Sequence, residues 1–264
     1  MTAPAAALNV VDEGRGPALV MLHGIGGSSR SFAAQYGELA ERMRLIAWDA
    51  PGYGESDDVD GPLSMDDYAD AVAALIEERC GERGAHVLGM SWGGVIATRL
   101  ALRRPDLVRS LVLGSSTVGS GATPEGAEAM RARAAEVDGD REQFTRTRAA
   151  RLLGDGASDN AITAAAAEMA AAIRPAGYRS AAEAMAATDH TDDLGSIDIP
   201  TLVLAGDRDE VTGHAAAQVL AGGIPGAVYV MLRDAGHLAN KDSPEAFNAW
   251  LESFIQIAER LRNH

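Results

Sequence analysis

One cysteine, Cys80, stands alone among 264 residues. That excludes an internal disulfide framework and any cysteine-rich metal site. Lysine is almost missing as well, with Lys241 the single example among 23 basic residues, a bias we read as genomic codon usage rather than function. Positive charge is in deficit: 23 basic against 38 acidic residues leave a net charge of −15. Such a chain is expected to be soluble and to avoid nucleic acid phosphates and anionic membranes, although single basic pockets remain compatible with it. No run approaches the roughly 18 apolar residues of a membrane span. The stretch Met1–Val11 lacks a basic segment followed by a long apolar core, so no signal peptide is expected and the expected location is cytoplasmic. What remains is ordinary globular composition, 47% hydrophobic and 23% charged. The length suits one large domain, or one domain plus a small insertion.

Short apolar runs alternate with amphipathic stretches, the pattern of parallel strands joined by crossover helices. Strands are expected at Ala18–Leu22, Leu45–Trp48, His86–Met90, Ser110–Leu113, Thr201–Ala205 and Val228–Leu232. Most are rich in Val, Leu and Ile with little polar alternation, as suits strands covered on both faces. A piece around Leu8–Val11 is expected as an antiparallel edge strand. Ser64 and Asp67 form a capping-box pattern opening a helix over Met65–Cys80. Another helix is expected at Trp92–Leu102. Ser243 as N-cap, with Pro244 at the first helical position, opens a final helix to about Leu261. Ala246, Trp250, Phe254 and Ile257 have the spacing of its buried face.

From about Val118 to His190 the alternation stops. The segment is rich in Ala, Glu, Arg and Met, with breaks at Gly139, Gly154–Gly156 and Arg174–Gly177, and reads as several inserted helices. The Ala-rich part Ala161–Ala172 is helix rather than low complexity. An insertion at the C-terminal end of a strand, where open α/β sheets bind ligands, is placed to cover a pocket. The expected division is therefore a core of residues 1–117 and 191–264 and a helical cap of residues 118–190.

Four short segments at strand ends carry chemistry. Gly89-Met90-Ser91-Trp92-Gly93-Gly94 follows an apolar strand and precedes a helix. A serine on such a turn is held in a strained conformation with its hydroxyl exposed. The bare G-x-S-x-G pattern is weak in a chain with 29 glycines; the strand–turn–helix setting gives it weight. His23-Gly24-Ile25-Gly26-Gly27 leaves the backbone free to point an N–H at a developing oxyanion. The Ile25 N–H is the first candidate donor and that of Gly26 the second, with the Trp92 N–H beside the serine as partner. Gly206-Asp207-Arg208-Asp209 offers two carboxylates able to orient an imidazole, and Asp207 and Asp209 compete for that role. His237, in Asp234-Ala235-Gly236-His237, can reach back to Ser91 and move its proton.

These segments, with Asp49-Ala50-Pro51-Gly52-Tyr53-Gly54-Glu55-Ser56, resemble the α/β-hydrolase-fold serine hydrolases over essentially the whole chain. The resemblance implies a mostly parallel sheet flanked by helices, with a helical cap. It puts nucleophile, acid and base on Ser91, Asp209 and His237, because the family's acid stands three residues after the glycine. It puts the oxyanion donors on the backbone of Ile25 and Trp92, substrate contacts on Gly24, Gly26 and Trp92, and a structural, loop-supporting role on Asp49. Gly236-His237-Leu238-Ala239-Asn240, Pro244-Glu245-Ala246-Phe247-Asn248 and Asp209-Glu210-Val211-Thr212 are similar to 3-oxoadipate enol-lactonases, which open an enol-lactone ring without a cofactor. The insertion departs from them, having Phe144 and Tyr178 but no tryptophan. A small anionic lactone needs a cation, for which Arg131, Arg133, Arg146 and Arg148 are candidates, though arginines on helices are more often solvated.

The expected activity is hydrolysis of a carboxylic ester or lactone through an acyl-enzyme on Ser91, with a small molecule as partner and no cofactor. The same triad would serve a C–C bond hydrolase of ring-cleavage products. Perhydrolase or cofactor-free oxygenase chemistry, or a non-catalytic small-molecule receptor, are further alternatives. A homo-oligomer is compatible with the sequence. His86 is expected to cap or pack. His190, His214 and His264 lack partners at metal-ligand spacing, so no metal is assigned. Cys80, at a helix end, is expected to be inert. The Trp92 side chain suits pocket lining and core packing equally.

Overall fold

The computed structural model describes residues 7–58, 60–154 and 156–262; His264 and the first six residues of the N-terminal stretch lie outside them. In chain order the elements are β1 (Val10–Gly14), β2 (Ala18–Leu22), α1 (Ala33–Leu39), β3 (Arg44–Trp48), α2 (Met65–Cys80), β4 (Ala85–Met90), α3 (Trp92–Arg103) and β5 (Val108–Gly114). Then follow α4 (Pro124–Glu136), α5 (Arg141–Leu153), α6 (Asp159–Ala172) and α7 (Pro175–Ala186). The chain closes with β6 (Thr201–Gly206), α8 (Gly213–Gly223), β7 (Val228–Leu232), α9 (Ala239–Asp242) and α10 (Pro244–Arg262).

The strands form one seven-stranded sheet in the order β1-β3-β2-β4-β5-β6-β7. β1 runs antiparallel to β3 and every other pair is parallel. The expected antiparallel edge piece is therefore present, displaced from Leu8–Val11 to Val10–Gly14. Period-two alternation splits each central strand between two cores. Val20, Leu22, Ile46, Trp48, Val87 and Leu113 face Val72, Ile96 and Leu100. Leu19, Met21, Leu45, Leu88 and Val112 face Leu39, Phe247 and Leu251. β7 departs from two-sided cover: as an edge strand it leaves Val228 and Met231 exposed.

The capping box at Ser64 and Asp67 forms as expected. The last helix starts where expected but turns a different face inward. Phe247, Asn248, Leu251, Ile255 and Ala258 are buried, whereas Trp250 and Ile257 are exposed. The true stripe is shifted by one residue, about 100° around the axis. A polar member hid it: Asn248 is buried opposite Gln35, which donates to its Oδ1 at 2.9 Å.

Helices α4–α7 lie between β5 and β6. The two ends of this insertion are stitched together, with the N–H groups of His190 and Gly121 donating to the carbonyls of Val118 and Thr188 at 2.9 and 2.8 Å. Pro175 lies inside α7, at its first turn, so the break expected at Arg174–Gly177 falls before the proline. Among the described residues no helix is long and apolar enough to cross a membrane.

Candidate active site

Parallel strands place all their C-terminal ends on one edge, and every singled-out segment emerges there. Ser91 joins β4 to α3 with φ 52° and ψ −114°. It is one of three non-glycine residues with positive φ among those described, beside Ser115 and Asp234. Such a conformation costs about 1–3 kcal/mol and persists only where neighbours enforce it. Here the Ser91 N–H donates to Gly114 O and its carbonyl accepts from Ser116 Oγ, both at 2.8 Å. The turn also needs bare backbone on either side. A Cβ on Gly89 would lie 2.3 Å from the Gly93 carbonyl oxygen, and one on Gly93 would lie 2.1 Å from that of Leu22.

The Gly24–Gly27 segment is a turn closed by the Gly27 N–H on Gly24 O at 2.8 Å. His23 anchors it. Its Nε2 accepts from the Ala50 N–H at 3.0 Å, which leaves Nδ1 to donate to Gly24 O at 2.8 Å. Burial lowers its pKa, so it is a neutral bracket rather than a base. The Trp92 N–H is among the first four of α3 that the helix leaves unbonded, at its positive end. The Trp92 ring packs against His23, Tyr53 and Tyr68, with centroids 4.9–5.9 Å away, and is 1% exposed. Core packing therefore accounts for most of that side chain, although the residue also borders the cavity.

His237 is buried with its Nδ1 3.0 and 3.1 Å from the two oxygens of Asp209. A carboxylate only accepts, so the proton sits on Nδ1 and Nε2 keeps its lone pair. The competition between the two aspartates resolves on geometry: Asp207 is spent on the loop, accepting from the Ala235 N–H at 3.3 Å. Thr212, which carried no role in the sequence reading, donates its hydroxyl to Asp209 Oδ2 at 2.6 Å and its N–H to Oδ1 at 3.1 Å. Burial pushes the Asp209 carboxyl up, but the bonds from His237 and Thr212 outweigh it and hold the group well below the usual carboxylate range.

Ser91, Trp92, His237, Gly24, Ile25 and Gly26 all border one cavity of about 690 Å³. No hydrogen bond joins the Ser91 hydroxyl to the His237 imidazole among the described residues. Helices α4–α7 supply the facing wall, including Met130, Met169 and Tyr178. The four candidate arginines divide into two pairs. Arg131 pairs with Glu183 and Arg146 with Asp159, both on the surface, but Arg133 and Arg148 border the cavity and Arg148 is buried. A residue pattern on a helix could not separate these, because the facing elements are far away in the chain.

The other singled-out residues do not border the cavity. Asp49 Oδ1 accepts from the Ser29 N–H at 2.7 Å, and its Oδ2 from the Glu55 N–H and Asn9 Nδ2, each at 2.9 Å. His86 lies buried between Ser110 Oγ and Glu259 Oε1, at 2.8 and 3.1 Å. His190 is buried with Nε2 3.3 Å from Val95 O, and His214 Nε2 lies 3.2 Å from Asp207 O. Cys80 is buried, which pushes its thiol up, away from the reactive thiolate.

Comparison with known proteins agrees with this architecture. The family model described as alpha/beta hydrolase fold matches residues 17–244. The chain is 29% identical over 264 residues to 3-oxoadipate enol-lactonase 2 of Acinetobacter baylyi, covering 97% of this chain and 96% of that protein. It is 32% identical over 258 residues to polyketide synthase ThaQ of Burkholderia thailandensis, covering 93% of this chain but only 12% of that much longer protein. A thermophilic esterase from Thermogutta terrifontis superposes with a TM-score of 0.89 at 28% identity, over 97% of this chain and 96% of the other. With a seven-stranded sheet of the same kind and a family match over most of its length, the chain belongs to the α/β-hydrolase-fold family.

Proposed function

We propose that the protein hydrolyses carboxylic esters or lactones through an acyl-enzyme on Ser91. The reading is carried by a strained serine at the β4–α3 turn sharing one cavity with an imidazole whose far nitrogen is held by a buried carboxylate. The relatives named for lactone and ester cleavage support the same reaction class.

In this mechanism Ser91 Oγ attacks the carbonyl carbon while His237 Nε2 takes its proton. The carbonyl oxygen becomes an oxyanion that accepts from the N–H groups of Ile25 and Trp92. Collapse breaks the bond to the alkoxy or ring oxygen, which takes the proton from His237. Water then attacks the acyl-enzyme, its proton passing to His237, and the acid departs as Ser91 regains its hydrogen. Asp209 stays ionised throughout and stabilises the imidazolium. Helices α4–α7 act as a cap that shields the reacting centre from bulk water.

Ser91→Ala should lower kcat by about 10⁴-fold or more, leave the unfolding midpoint unchanged, and abolish labelling by a serine-reactive phosphonate. Assayed on aryl esters, lactones and dienones, the wild type should turn over the first two. Wild-type turnover in Ser91→Ala would remove the mechanism, and preference for the dienone would move the reading to C–C bond hydrolysis.

A further inference from the structure

Among the described residues the large apolar side chains left exposed are Val219, Val228, Met231, Trp250, Ile257 and Leu261, each 44–66% accessible. All six lie on β7, α8 or α10, so they gather at one end of the sheet. α8 packs against β6 and β7 on one face. On the other face α10 turns Asn248 and Glu252 toward Glu38 and Arg42, beside α1. Its opposite flank, with Trp250, Phe254, Ile257 and Leu261, therefore looks toward β7. Phe254 and Val230 are half-buried against the same core. β7 is the last strand of the sheet, and its outer edge has no strand partner. Such an edge is normally blunted by lysine, proline, a bulge or an inward charge. Val228–Leu232 has none of these: it reads Val-Tyr-Val-Met-Leu, in regular register with β6. Charge is missing over a longer stretch. Residues 211–232 contain no Asp, Glu, Lys or Arg, in a chain that is 23% charged with a net charge of −15. A contiguous exposed apolar edge marks a surface that something covers.

We propose that a second copy of the chain covers this edge, β7 pairing antiparallel with β7 about a twofold axis at Val230. Identical strands pair in this way with full backbone complementarity, and twofold closure stops the assembly at two. Charge selects the same partner. Two copies with a net charge of −15 repel each other, and this face lets them meet without opposing like charges. With Val230 on the axis, Val228 lies opposite Leu232 and Tyr229 opposite Met231. Each Arg233 then falls opposite Ala227 rather than opposite its own equivalent. A stable interface takes about 800 Å² from each partner, more than a five-residue strand can offer. The exposed side chains of α8 and α10, on the two faces of β7, extend it. The strands form the centre, and Trp250, Ile257 and Leu261 form a rim where truncation is worth little. The pairing does not depend on the chemistry at Ser91.

Sedimentation velocity on the full chain, with light scattering as a check on mass, tests this. The wild type should be a dimer at about 10 µM. It should stay one in about 1 M sodium chloride, because screening does not weaken an uncharged interface. Met231→Lys and, separately, Val228→Lys put an edge-blocking residue on the strand. Each should raise the dissociation constant by about 10-fold or more while leaving the circular dichroism spectrum unchanged. The amides of residues 228–231 should exchange with solvent more slowly as the wild type is concentrated. A wild-type monomer at about 100 µM overturns the pairing. A dimer equally tight in both lysine variants overturns the choice of β7, and a dimer dissolved by salt overturns the uncharged interface. A monomer that binds neutral phosphatidylcholine vesicles, and loses that binding in Met231→Lys, overturns the second copy as the occupant. If the lysine variants do not fold, the wild-type mass and the exchange of the β7 amides decide the matter.

Discussion

Ser91 shows what the position proposed as nucleophile costs. Its φ of 52° and ψ of −114° would suit glycine, and its place is held by bonds to Gly114 and Ser116 rather than by preference of its own. Ser91→Gly should therefore raise the free energy of unfolding by about 1 kcal/mol while abolishing turnover. Equilibrium urea unfolding checks this, and a loss of stability would mean the turn is not strained at that residue. The glycine–serine–glycine pattern made this residue legible, because it reports a local backbone need. Asp209 was legible only as one of two candidates. Its selection over Asp207 came from the resemblance, and the physical ground is its bonds to His237 and Thr212, partners that no local spacing encodes. Arg148 was legible only as one arginine among four.

At the scale of elements, hydrophobic period located strands and helices well and orientation less well. β2, β7 and α2 fall where their residues predict, because each is bounded by its own turn or cap. α10 was located but turned by one residue, since Ala246, Trp250, Phe254 and Ile257 satisfy the same spacing as the stripe that is buried. What breaks the tie is Asn248, a polar residue made tolerable in the core by Gln35 on α1 and by Glu38, whose carboxylate accepts from Asn248 Nδ2 at 2.7 Å. The two phases differ measurably. Phe247→Ala should cost about 3–5 kcal/mol by removing a fully buried ring. Trp250→Ala, at a side chain 45% exposed, should cost less than about 1 kcal/mol. Denaturant midpoints of the two variants check this, and the reverse order would return the helix to the phase its sequence suggests.

For the molecule as a whole, buried histidines should weaken stability toward acid. His23, His86 and His190 are all buried, and burial lowers each, His86 and His190 to about 4. Between the unfolded value near 6.5 and that folded value, the unfolded chain takes up protons that the native state refuses. Their contribution is thus complete above about pH 6.5 and, for His86 and His190, falls with pH by roughly 1.4 kcal/mol per unit; His23 acts in the same direction. Denaturant unfolding at pH 7 and pH 5 should show a loss of several kcal/mol by the same linkage, and equal stability at both would refute it. The amino-acid sequence by itself determined the α/β alternation, the place of the inserted helices and the segments that end up on one sheet edge, because strand period, caps and glycine turns are properties of neighbouring residues. Only the tertiary structure decided which carboxylate holds His237, which face of α10 is buried and which of the candidate arginines border the cavity. Each of those depends on groups brought together from distant parts of the chain, where burial and pairing, not spacing, set the energy.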